Sequence, residues 1–395
     1  MPDSPAAEAP APVITSDAPG SFPMSVLAER HPKLVRQVYD AFPYGPGQRR
    51  ALDMLVRECE DGVVEPLGAG AADRDLWAGW GRGMFGRSWY DVPFLWAESY
   101  FYRRLLGAVG YFDDGPWHGV DPFAPFKRAE LNTPEAQEEL AAPDRLASHS
   151  VRDQNRALLQ GSLWGNRADL GFRLSGSGEP GTGAGGPLVA DDSDALWSLL
   201  PPGGAHRVCL VADNAGRELV PDLLLVDQLV RHGHAEHVVL LVKPYPYYVS
   251  DATTADFVDC LRHLAGADGA AGAAGRRLWE LVGRGRVEVR THPFFCAPFP
   301  YEDMPDDLRE EFGRGTLTVM KGDLNYRRLV GDRSWSPTTP FAACTAYFPG
   351  PVAALRTLKS DVVTGLDTAT VTALDERHGG RWRTGGTHAL IQVRA

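Results

Sequence analysis

The sequence predicts an α/β protein: a Rossmann-like, largely parallel sheet with flanking helices, preceded by an all-helical N-terminal subdomain. Three observations carry that expectation. From Ala205 onward, short apolar runs alternate with helical patterns in a strand, helix, strand rhythm. Before about Leu163, apolar residues recur at three-four spacing instead. The runs of the second half also stop abruptly on polar residues, as buried parallel strands do where they deliver side chains to the carboxyl edge of a sheet.

Taken in order, the first twenty residues, MPDSPAAEAPAPVITSDAPG, are rich in Pro, Ala and acid. They lack the basic and apolar regions of a signal peptide, so residues 1–22 read as a disordered tail. A helical subdomain follows over residues 23–165. His31 to Phe42 and Gln48 to Val64 are amphipathic, and Trp77 to Leu106 is crowded with aromatics. The second half of that segment, FLWAESYFYRRLLGAV, is apolar nearly all round, the mark of a buried helix. Glu98 and Arg103-Arg104 interrupt it, either as a solvated stripe or internal ion pair, or as charges projecting into a pocket. Glu98, with aromatic neighbours on both sides, is the better pocket candidate. At the junction, SLWGNRADL offers Asn166 and Asp169, which either stitch the two halves together or face the pocket.

Residues 166–395 form the α/β domain, with a flexible Gly-rich segment at 173–189. Gly181, Gly183 and Gly186 spell GxGxxG there, but no strand precedes them and no helix follows at once, so they make no nucleotide site. Candidate strands are Val208–Ala212, His237–Val242, Arg286–Arg290, Leu317–Lys321, Phe341–Phe348 and Ala389–Val393. Helical patterns at Leu219–Arg231 and Ala255–Leu264 fill two of the gaps.

Composition narrows the function classes. The 395 residues carry a net charge of −11 and no basic stripe, which argues against a nucleic-acid groove or an anionic membrane surface. No window is long and apolar enough to span a bilayer. Five cysteines lie far apart without a CxxC, as in a reduced, cytoplasmic protein.

The most informative stretch is HRVCLVADNAGRE. Its apolar run ends on Asp213-Asn214, and a helical pattern follows. An oxygen-rich pair at a sheet edge suits a hard divalent cation, although either residue can equally cap the helix. The next run, HVVLLV, leads through Lys243 to Ser250-Asp251, where an N-cap is the plain alternative. Neighbouring strands lie about 5 Å apart, so carboxylates from these two loops can converge on one ion, leaving positions open for water and substrate. A third loop follows TLTVM: Lys321, Gly322, Asp323, Leu324, Asn325, Tyr326, Arg327. Lys321 and Arg327 can neutralise a phosphate and exposed amides around Asp323 can hold it; a turn with surface charges is the alternative. Arg356 and Lys359, after PVAAL, share a face at helical spacing and form either a solvated basic face or a pair of phosphate clamps. His232, His234 and His237 imitate a metal cluster but fall in a helix-to-strand connection, where a surface loop away from the site is expected. His292 follows a candidate strand without further support. No GxSxG elbow or Cys–His pair occurs.

These segments, SLWGNRADL, VADNAGRELVPDLLL, YYVSDATTADF, VMKGDLNYRRLVGDRSW and LRTLKSDVVTGL, resemble in order those of the metal-dependent damage-control phosphatases, in the branch carrying an RTxK motif. The resemblance covers roughly residues 21 to 390 and implies a helical part packed on an α/β domain. It implies that Asp213, Asn214 and Asp251 bind a divalent metal, Mn²⁺ foremost, with Mg²⁺, Co²⁺ or Ni²⁺ as alternatives. It further implies that Asp323 to Arg327 and Lys359 hold a substrate phosphate, and that Glu218 contacts cofactor or substrate. The expected activity is hydrolysis of small phosphorylated metabolites, such as fructose 1-phosphate or fructose 6-phosphate. The same branch brings a rival, S-adenosylmethionine-dependent methylation of protein carboxylates. Against it, Gly216 stands alone after the first strand and Lys243, not an acid, ends the second. A non-catalytic metabolite-binding protein is the third possibility.

Overall fold

The computed structural model describes residues 11–165 and 187–395. Seven strands form one sheet: β1 (Leu188–Asp191), β2 (Arg207–Val211), β3 (His237–Val242), β4 (Val287–Thr291), β5 (Leu317–Lys321), β6 (Val352–Thr357) and β7 (Ala389–Arg394). Their spatial order is β1-β7-β6-β5-β2-β3-β4. β2 pairs in parallel with both β3 and β5, β3 with β4, and β5 with β6. β7 runs antiparallel to β6 and carries β1 parallel to itself. The expected α/β class and largely parallel sheet are therefore present.

After β2 the chain builds outward through β3 and β4, then returns to the other side of β2 for β5 and β6. The winding switches between β2 and β5, and the connecting helices leave on opposite faces. On one face, helices Leu219–Arg231, Thr254–Ala265 and Gly269–Gly283 pack Leu223, Leu261 and Leu278 in one core with Val208, Leu210 and Leu240. On the other, Asp306–Gly313 and Gly322–Val330 bring Phe312, Tyr326 and Leu329 together with Cys209, Val211 and Leu241. Alternate residues of β2 and β3 thus enter two cores, which is why both strands read as unbroken apolar runs. Sheets of this kind leave a crevice outside the carboxyl ends of the strands where the winding switches.

The helical half has its own aromatic core around Leu52, Trp77, Trp89, Trp96 and Tyr100, with the helix Phe94–Val109 buried almost all round. It is not a separate body throughout. Pro134–Leu146 and Val151–Trp164 place Leu146, Leu159, Leu163 and Trp164 in the same core as β2 and β3, because their apolar faces meet the helices covering the sheet.

Several local expectations need correction. Residues 11–22, grouped with the tail, are held in place: Val13 bridges Arg333, Thr15 bridges Pro93, and Ser16 is fully buried. Backbone pairing holds this arm, and composition does not reveal it. Phe341–Cys344 is a short helix rather than part of a strand, and the strand is Val352–Thr357, which fits between β5 and β7. Arg356 therefore lies in β6, not on a helix face shared with Lys359. β1 follows directly on the Gly-rich segment and had no periodicity to announce it. His234 is buried, not on a surface loop: its ring bonds Asn155 at 2.8 Å and the Leu200 carbonyl at 2.7 Å. Asn166, Asp169 and the GxGxxG glycines lie outside the described residues.

Candidate functional site

Asp213 and Asn214 cross the carboxyl edge just after β2, before a short 3-10 turn (Gly216–Glu218) leads into Leu219–Arg231. Neither side chain caps that helix. Asn214 donates from Nδ2 to Glu218 Oε2 at 2.9 Å, and its Oδ1 accepts from Ser250 Oγ at 2.8 Å. Asn214 and Asp251 form an antiparallel bridge, with the Ala252 N–H on the Asp213 carbonyl at 2.9 Å. The loops after β2 and β3 are thus joined backbone to backbone. Asp251 is buried, and its Oδ2 accepts the Tyr248 N–H at 3.0 Å. The cap of the following helix is Thr253, in a capping box with Asp256, so Asp251 is left out of capping.

The Asp213 carboxylate makes no hydrogen bond among the described residues. It lies over Gly322, the first residue of the helix after β5, whose φ is +83° and where a Cβ would come within 1.8 Å of Asp213 Oδ2. Only glycine permits both that backbone conformation and that approach. Burial, then the charges of Glu218 and Asp251, push Asp213 up to about 8, against the pull of Lys359 and Lys243. A part-buried carboxylate without a donor among the described residues, repelled by two others, suits a cation. The donors are all oxygens, two carboxylates and the Asn214 amide, which fits a hard divalent ion. Among the described residues no group of three His, Cys, Asp or Glu is arranged around a metal; the third oxygen here belongs to an amide.

The edge after β5 differs from expectation. Lys321 is buried against Asp222, 3.0 Å away, and donates to Ser162 Oγ at 2.9 Å. Arg327 is buried between Asp332 (2.7 Å) and Glu98 (3.0 Å). Arg356 pairs with Asp323 at 2.7 Å and, with other donors around it, holds that carboxyl below its ordinary range despite burial. These three cations, expected to clamp a phosphate, are each neutralised by a carboxylate of the chain itself. Glu98, the pocket candidate, is likewise spent on Arg327 and Tyr248, although burial keeps its carboxyl above the ordinary value. Leu324 packs with Leu95 and Tyr247, Asn325 donates to the Ala212 and Lys321 carbonyls, and Tyr326 bonds Thr364 and Gln392. Their side chains build the edge rather than line it. Lys359 is half exposed, with Nζ 3.9 Å from Glu218 Oε1.

One small cavity gathers Asp213, Asn214, Glu218, Lys321, Asp323 and Lys359, with Gly322 and Thr357. A roomier cavity, about Arg152, Asp194 and Trp197, shares no residue with it. His292 caps the turn beginning Pro293 and pairs with Asp307. Sequence reasoning missed Ser162, Asp222 and Asp332, the partners that occupy the cations. Asp222, one turn after Glu218 in an apolar helix, was the available signal.

Fold and site define a doubly wound α/β protein with an oxygen-lined pocket at the point where its sheet switches winding. Residues 26–374 match the damage-control phosphatase ARMT1-like domain, and the chain belongs to that family. Curated relatives named damage-control phosphatase ARMT1 are 32% identical in Danio rerio (77% of this chain, 74% of that one), and 30% in Rattus norvegicus (98% and 99%). The Homo sapiens protein of that name is 29% identical (93% and 95%). Among solved structures, a DUF89 family protein from Pyrococcus horikoshii aligns at a TM-score of 0.47 and 14% identity, covering 89% of this chain and 93% of that one. Among the described residues no helix is long and apolar enough to cross a membrane.

Proposed function

We propose that this protein is a metal-dependent phosphatase of small phosphorylated metabolites, with sugar phosphates such as fructose 1-phosphate and fructose 6-phosphate as the substrate class, acting in the cytoplasm. The observation that carries the reading is the Asp213 carboxylate: part-buried, without a hydrogen bond among the described residues, and repelled by Asp251 and Glu218 at the carboxyl edge of a parallel sheet. Asp213, Asn214 and Asp251 would hold the ion, Mn²⁺ foremost. Bound there, a divalent ion supplies positive charge to the phosphoryl oxygens and acidifies water.

The chain's own groups do the rest. Glu218 accepts from the Asn214 Nδ2, which leaves the amide oxygen on the side of Ser250 and the Asp251 loop. Lys359 offsets charge on the phosphoryl oxygens as water attacks in line. One of the two Asp carboxylates at this edge takes the proton of that water. Lys321, Arg327 and Arg356 act by fixing the edge: their carboxylate partners hold the strand ends and the start of Gly322–Val330 in register. The methyltransferase alternative gains nothing from the geometry, since a buried lysine directly follows β3 where such an enzyme places an acid for the ribose.

Phosphate release from a panel of sugar phosphates with and without Mn²⁺ tests the proposal. Metal-dependent turnover that disappears in a folded Asp213→Ala protein supports it. Turnover unchanged in that variant, or tight S-adenosylmethionine binding without phosphate release, sinks it.

A further inference from the structure

Lys243 has no part in the reaction as derived so far. It directly follows β3, the strand beside β2, so it stands at the same edge as Asp213 and leads into the loop that carries Asp251. Its backbone is fixed: the N–H donates to the Ala252 carbonyl at 2.9 Å, and the residue bridges Thr253. Only 2% of it is exposed. Yet among the described residues its ammonium has no hydrogen-bond acceptor and no carboxylate within 4.0 Å. What surrounds it is aromatic, with the Tyr247 and Phe295 ring centroids 5.8 and 5.9 Å away.

Lysine is almost never buried unless paired, and two ring contacts replace only part of the lost hydration. The neighbouring buried cations Lys321, Arg327 and Arg356 all have carboxylates in contact. Lys243 is the exception among these four, and its charge, like that of Lys359, acts on Asp213. In sheet order the two lysines flank Asp213: Lys243 follows β3, Lys359 follows β6, and β2 and β5 lie between. Charge also points to an anion. Asp213, Asp251 and Glu218 against Lys243 and Lys359 leave one surplus negative charge, and a divalent cation would turn that into one surplus positive charge, which attracts phosphate.

We propose that Lys243 is a phosphate-binding residue, its ammonium taking a phosphoryl oxygen from the β3 side of the site while Lys359 takes another from the β6 side. The ligand then supplies the acceptor that the protein does not. This rests on the phosphatase reading and extends it by one substrate contact.

The test is calorimetric titration of inorganic phosphate into the Mn²⁺-saturated full-length protein, wild type against Lys243→Met, with Mn²⁺ affinity and Tm measured in parallel. The expected result is at least a tenfold rise in the phosphate Kd, with Mn²⁺ affinity retained or tighter and Tm not lowered. In turnover, KM for fructose 6-phosphate should rise by at least the same factor. Lys243→Gln reads the same quantities if Lys243→Met fails to fold, and Lys243→Arg, which keeps the charge, should recover part of the binding. A phosphate Kd within twofold of wild type in a folded variant overturns the proposal, and so does loss of Mn²⁺ binding, which would make Lys243 a support of the metal site. Wild-type protein that binds phosphate through Lys243 but hydrolyses no sugar phosphate overturns the phosphatase reading alone; binding no phosphate at all overturns both.

Discussion

The edge after β5 and the edge after β2 and β3 carry similar densities of charge and treat it in opposite ways. After β5, Lys321, Arg327, Arg328 and Asp323 are all committed: Lys321 to Asp222, Arg327 to Asp332 and Glu98, Asp323 to Arg356, and Arg328 to the carbonyls of Phe294, Phe295 and Phe299. After β2 and β3, among the described residues, Asp213 has no hydrogen bond, Lys243 has no acceptor, and three carboxylates repel one another. A buried ion pair satisfies itself and holds geometry; a buried charge without a partner is stable only when something else completes it. The difference separates the frame of the site from its working surface, though residue types alone make the two look alike.

Substitutions at the two edges should fail differently. The largest expected effect is at the unpaired edge. Asp213→Asn should cut phosphate release on the order of 10³-fold, while thermal denaturation shows Tm unchanged or raised, because a repelled buried charge is gone. At the paired edge, Arg356→Met should cost about 3 kcal/mol of stability by stranding Asp323. Denaturant titration checks that, and adding Asp323→Leu should recover much of the loss. Gly322→Ala sits between the edges: its Cβ would displace the Asp213 carboxylate, so Mn²⁺ affinity should fall roughly 10–100-fold, the range for misplaced metal ligands. Lys359→Met should raise KM for a sugar phosphate about tenfold, the loss of one charge-assisted hydrogen bond from a half-exposed group.

The effect that is smallest at neutral pH lies away from both edges. His31 stacks on Phe101 at 3.6 Å, and burial, with Arg30 adding to it, lowers its pKa to about 3. A depressed histidine pKa means the unfolded chain binds the proton more readily. Stability is therefore full above about pH 6.5 and falls as the pH drops toward 3, by up to about 1.4 kcal/mol per pH unit. His31→Leu should flatten that slope in pH-dependent denaturation and leave activity at neutral pH untouched.

Much of this was legible in the sequence because strand ends are legible. The apolar runs of β2, β3 and β5 stop where the strands stop, and the polar residues after them do arrive at one edge. The strand β6 was hidden because VAALRT is as compatible with a helix as with a strand until its neighbours are known. The fate of each charge was hidden for a related reason. Nothing in the spacing of Asp222, Asp332 and Glu98 says which cation each meets, and only the packed fold shows that they neutralise Lys321 and Arg327. Lys243 was visible as the residue after β3, but its lack of a hydrogen-bond partner among the described residues is a fact of packing.

The most direct measurement is calorimetric titration of Mn²⁺ into chelator-treated wild-type protein and into folded Asp213→Asn and Asp251→Asn. One ion should bind to the wild type and none to either variant. Equal binding by all three proteins, or no binding by the wild type while it still releases phosphate from a sugar phosphate, would contradict a metal centre built on Asp213, Asn214 and Asp251.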